Sequence, residues 1–182
     1  LMESIGGKNV NAGTSFDLTY YHNSFPAYQI NKWLEISSQR FMHPVFRSFQ
    51  SELENVYEEY NMYQDNPSSV KSNFIRSKAF EGHPYSRDII GLPEHLKNPR
   101  LSKLIEFYDS WYTPENMVLI LVGNVNAQQI SGRINAAFGR LPEKATPARK
   151  TYPDLDIKGR TQYTAKIGYY PSVVLVYKGV PA

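Results

Sequence analysis

Two glutamates pose the first chemical question. Residues 46–63 place Phe46, Phe49, Leu53, Val56, Tyr57, Tyr60 and Tyr63 at intervals of three or four. That spacing predicts a long helix over 45–64 with an apolar stripe. At about 100° per residue, positions seven apart nearly eclipse. Glu52 and Glu59 therefore share the face marked by Phe49, Leu53, Val56 and Tyr60. Glu54 and Glu58 lie away from it and repel slightly as a like-charged i, i+4 pair. Carboxylates at the edge of an apolar stripe are costly to desolvate unless something positive meets them. A metal ion or a protonated partner would do so. The plainer alternative is the solvated acidic flank of an amphipathic helix.

The other chemistry-bearing residues exclude more than they offer. None of the four histidines, His22, His43, His83 and His95, has another three or four positions away. Neither H-E-x-x-H nor H-x-x-E-H occurs, so the chain carries no helical His pair for zinc. His83 stands in a Gly82-His83-Pro84-Tyr85 turn, where a structural hydrogen bond is its expected role. No G-x-S-x-G elbow marks a serine nucleophile, and no P-loop marks a phosphate site. Asn11, Ala12, Gly13 and Thr14 suggest a different kind of site. Small side chains leave the backbone open, so an edge strand here could take up an extended peptide by β-augmentation. A glycine kink in an ordinary strand would look the same.

The elements that must position these residues follow from pattern. Phe16, Leu18 and Tyr20 alternate with polar residues, which predicts a strand with one buried face that ends at Pro26. Ile30, Trp33, Leu34 and Phe41 predict a helix over 27–42, broken at His43-Pro44. Further helices are expected over 68–80, after the Asn66-Pro67 break, and over 92–96, 100–112 and 126–138. The run 117–122 is wholly apolar and suits a central strand buried on both faces. Prolines 142, 147 and 153 mark an extended linker, and 161–178 look like strands, above all 173–177.

Composition sets the limits. The 182 residues are 41% apolar, 14% aromatic and 20% charged, which suits one folded domain, or one and a piece of another. The net charge of +3 comes without a clustered basic stripe, so no nucleic-acid partner is expected. There is no cysteine, which excludes disulfides, thiolate metal sites and a Cys nucleophile. No apolar run approaches the roughly 20 residues of a transmembrane helix, and no signal peptide is visible. The opening Leu1-Met2 reads as a fragment or a processed product.

Taken in order, these residues resemble the pitrilysin/insulinase family of zinc metallopeptidases, the inverzincins, and most of all its bacterial members. Gly6-Gly7 precedes Asn11-Ala12-Gly13-Thr14, with Asp17 and Tyr20-Tyr21 following. The helix carries Glu52 through Glu59. After it come His83-Pro84-Tyr85, Gly91, Phe107-Tyr108, Trp111-Tyr112, Pro114, Asn116-Met117 and the strand ending Val122-Gly123-Asn124-Val125. The likeness covers roughly residues 1–142 and is expected to continue across the linker.

The resemblance implies an α+β fold, a mostly antiparallel sheet with helices packed on one face. Residues 1–143 would be the C-terminal part of a first, catalytic-type domain. A linker would occupy 144–160, and a homologous second domain would begin at 161–182. In the family an H-x-x-E-H helix supplies two zinc ligands and the general base for a zinc-bound water. By that resemblance Glu59 is the third ligand and Glu52 the carboxylate that supports it. Asn11, Ala12, Gly13 and Thr14 become the edge that pairs with a peptide or unfolded protein substrate. Because H-x-x-E-H is absent from this chain, zinc is expected in the parent protein and not in the fragment, which alone should be inactive. The alternative is a non-catalytic paralogue acting as a peptide-binding or partner subunit. A homodimer is also possible, and the periplasm or cell envelope is favoured over the cytoplasm.

Overall fold

The computed structural model describes residues 1–97, 99–153, 155 and 159–179. Among the described residues helices dominate and the sheet is an antiparallel pair of strands, so the α+β expectation holds. The chain forms two compact units: residues 1–49 with 100–149, and residues 50–99 with 150–182.

The first unit begins with a single 3-10 turn at Glu3–Ile5, followed by strands β1 (Lys8–Thr14) and β2 (Thr19–Ser24). They pair in the register Asn11 to His22, Ala12 to Tyr21, Gly13 to Tyr20 and Thr14 to Thr19, with an irregularity between Lys8 and Asn11. One strand was expected through Phe16, Leu18 and Tyr20; the chain instead turns back on itself there. The Ser15 amide donates to the Leu18 carbonyl at 2.8 Å, and the loop Phe16-Asp17 reverses direction. Aspartate suits such a turn because its short polar side chain tolerates turn backbone geometry. Phe16 and Leu18 are exposed in consequence.

Helix α1 (Ile30–Met42) buries Ile30, Trp33, Leu34, Ser37 and Ser38. That is the i, i+3, i+4, i+7, i+8 stripe of a helix lying on a core. Its partners are Met2 and Ile5, with Phe25, Leu121 and, from helix α6 (Ala127–Phe138), Ile130, Ile134, Ala137 and Phe138 packed around them. Asn126 caps α6 by accepting from the Gln129 amide at 3.1 Å. The expected helix at 100–112 is Leu101–Trp111; its label, α5, follows those of the second unit's helices in chain order.

The second unit holds α2 (Phe49–Asp65), α3 (Pro67–Ala79) and the short α4 (Pro93–Lys97). Helix α2 starts at Phe49, leaving Phe46 outside it. Asn66 caps α3 by accepting from the Ser68 and Ser69 amides, with Pro67 at the first helical position, where its missing N–H is no loss. No described side chain of this unit is fully buried.

Two expected strands do not form. Residues 117–122 pair with no other strand among the described residues. Val118, Ile120 and Val122 are 75% to 92% exposed, while Leu121 packs against the core. The period-2 alternation of a strand is present, but β structure needs a hydrogen-bonded neighbour and only one face is covered. Residues 161–178 likewise form no strand, and 173–177 are exposed. Positions 154 and 156–158 of the expected linker, and 180–182 of the expected second domain, lie outside the described residues.

Candidate functional site

The structure places Asn11, Ala12, Gly13 and Thr14 in β1, whose second edge is unpaired among the described residues. An unpaired edge presents a row of backbone donors and acceptors that an extended peptide can satisfy. Gly13 has a local reason to be glycine: a Cβ there would lie 2.6 Å from the ring of Tyr20, which crosses over it from β2. The Ala12 amide donates to the Asn11 side-chain carbonyl at 2.8 Å.

Behind this edge stands an aromatic cluster whose tyrosines, Tyr21, Tyr108 and Tyr112, carried the family resemblance but had no role assigned to them. The Tyr21 and Tyr112 hydroxyls are 2.8 Å apart. Tyr112 is stacked on Tyr108, with ring centroids 4.4 Å apart. Phe41 meets both Tyr21 and Tyr112, and Arg40 lies 5.9 Å from the centroid of the Tyr21 ring. Tyr108 donates to the Phe41 carbonyl at 3.3 Å. Burial pushes the Tyr108 phenol up to about 12, with Tyr21 and Asp109 adding and Arg40 opposing. Burial also holds the Tyr112 phenol well above its ordinary value; its bond to Tyr21 adds to this and a bond from Thr19 opposes it. These phenols therefore stay neutral hydrogen-bonding groups through ordinary pH. The sequence signals for the cluster were the density of aromatics at 107–112 and the place of Tyr21, Tyr108 and Tyr112 in the family pattern.

In the second unit, Glu52 and Glu59 both lie on α2 and are both exposed. Their sevenfold separation on one regular helix brings them to the same face, as the spacing predicted. Glu59 accepts a hydrogen bond from Tyr63 one turn on. Its negative charge, then that bond, raise the Tyr63 phenol above its ordinary value, with Asp88 adding to the effect. Asp88 is held in turn by the Asn73 amide, by Arg76 at 3.2 Å and by its own neighbour's amide, Ile89, at 2.8 Å. His83 plays the structural part expected of it: its Nδ1 accepts from the Tyr85 amide at 3.2 Å and caps the turn Pro84–Ser86.

A catalytic zinc takes three protein ligands. Among the described residues no three His, Asp or Glu side chains come together. Glu59 is a zinc-ligand type, but these residues alone do not make a zinc site, and no step of zinc chemistry is assigned to them. Nor is any helix among the described residues long and apolar enough to cross a membrane.

The fold is that of bacterial proteases of known structure. A crystal structure of a protease from Helicobacter pylori superposes with a TM-score of 0.72 at 26% identity, over 82% of this chain and 37% of that one. The periplasmic protease PqqL from Escherichia coli superposes with a TM-score of 0.73 at 25% identity, over 84% of this chain and 18% of that one. The chain belongs to the insulinase family, peptidase family M16: that family's profile matches residues 1–92, and the M16 inactive-domain profile matches residues 100–182. In sequence it is 28% identical to the zinc protease PqqE of Helicobacter pylori, over all of this chain and 42% of the relative. The chain spans only part of the length of the curated relatives it matches, 31%, 17%, 34% and 42% of four of them.

Proposed function

We propose that this chain is part of a zinc-dependent endopeptidase that binds peptide or unfolded protein as a strand added to β1 at Asn11, Ala12, Gly13 and Thr14. Glu59 gives one ligand to zinc in the larger protein, and Glu52 supports it from the same face of α2. The chain alone holds no zinc and hydrolyses nothing, because a single carboxylate cannot retain a catalytic ion. Residues 1–143 are the remainder of a first peptidase domain, 144–160 a linker and 161–182 the start of a homologous second one. The larger protein works in the periplasm or cell envelope, as the name of the similar PqqL suggests.

The observation that carries this reading is the placement of Glu52 and Glu59 seven apart on one helix, in a chain of a family whose similar members are named zinc proteases. Elemental analysis of the full protein tests it. About one zinc per chain is expected, lost in Glu59→Gln and absent from the 182-residue chain. If the full protein binds no zinc, Glu59 is a solvated helix residue and the protein is a peptide-binding or partner subunit.

A further inference from the structure

We propose that Tyr112 is a positioning residue for peptide binding: its phenol props the strand behind the β1 edge at the position opposite Ala12. The inference rests on the strand-addition reading and adds to it a device that fixes the edge.

The geometry is specific. Tyr112 follows the last turn of α5, its backbone amide bonded to the Tyr108 carbonyl at 2.9 Å. Its ring is stacked on Tyr108, so helix and stack fix where the hydroxyl points. That hydroxyl meets a side chain of β2, Tyr21, at 2.8 Å. In the register Tyr21 is the partner of Ala12. One phenol on a helix end thus reaches the ladder position that backs Ala12 of the proposed binding edge.

The physical need is plain. An isolated two-stranded hairpin is marginally stable in water, and both strands here are largely exposed. A mobile edge must be ordered before a peptide can add to it, and that ordering subtracts from affinity. Anchoring β2 to the α5 terminus removes part of that loss in advance. Arg40 over Tyr21 and Phe41 against Tyr112 hold the same contact from α1. A hydroxyl that only steadies the strand should affect binding and not turnover.

The test compares wild type, Tyr112→Phe, Tyr21→Phe and the double variant in the full protein. Fluorescein-labelled casein, an unfolded chain, serves as the probe for binding and cleavage. Hydrogen exchange of the β1 and β2 amides is read alongside. Tyr112→Phe keeps the stacked ring and deletes only the hydroxyl, so the fold is expected to survive, and Tyr21→Phe deletes the same bond from the other side. One net hydrogen bond corresponds to about a fivefold change in an equilibrium. Hairpin exchange should therefore quicken by about fivefold and KM rise by a similar factor, with kcat within about twofold of wild type. The double variant should match Tyr112→Phe, because both delete the same bond. Unchanged exchange and unchanged KM overturn the inference. Faster exchange with unchanged KM overturns it differently: the prop is real, but peptide does not use this edge, and the strand-addition reading fails. A wild type that neither binds nor cleaves casein overturns that reading, and this inference with it.

Discussion

Phe25 and Trp33 lie face to face, their ring centroids 4.9 Å apart and their planes within 12°. The Trp33 indole N–H donates to the Asn23 side-chain carbonyl at 2.9 Å. Trp33 thereby joins β2, which carries Asn23, to the core face of α1. Trp33→Ala should lower the stability of this unit by about 3–5 kcal/mol through lost apolar burial and the cavity left behind. Asn23→Ala, which strands a half-buried indole N–H, should cost about 1–2 kcal/mol. Denaturant titration would show both, in that order of size.

Alkali should destabilise the fold through the aromatic cluster. Tyr108 ionises at about 12 in the folded chain, against an ordinary value of 10.0. A raised folded value gives stability that is complete below about pH 10 and is lost as pH climbs toward 12, because the unfolded phenol releases its proton first. Tyr112 acts in the same direction. Phenolate absorbance followed against pH should show part of the tyrosine population titrating late, together with or after unfolding. Tyr108→Phe should remove part of that late fraction.

Gly7 should tolerate no side chain. A Cβ there would sit 2.5 Å from the Met2 carbonyl oxygen, backbone that the Gly7 amide itself holds at 2.9 Å. Gly7→Ala should destabilise the unit by about 1–3 kcal/mol. Gly13→Ala meets only the far end of the exposed Tyr20 ring, which can swing aside, so its effect should be smaller. Thermal melts of the two variants would rank them.

Helix α2 was legible in the sequence because its information is local. An apolar residue every three or four positions fixes which face a helix buries, and fixed helical geometry then places Glu52 over Glu59 without reference to any other part of the chain. The Asn66-Pro67 break was legible for the same reason: a capping side chain satisfies amides two and three residues on. The turn at Phe16-Asp17 was not, since the alternation of Phe16, Leu18 and Tyr20 continues across it.

The sequence by itself determined the helices, the carboxylate pair, the small-residue edge and the family resemblance, because each is written in spacing along the chain. Tertiary structure alone decided three things: the hairpin, the lack of a paired strand at 117–122 among the described residues, and the meeting of Tyr112 with Tyr21. A strand exists only where another supplies its hydrogen bonds, and apolar character cannot say whether one does. Tyr21 and Tyr112 are 91 positions apart. Such a contact depends on where α5 ends relative to β2, which no local pattern encodes.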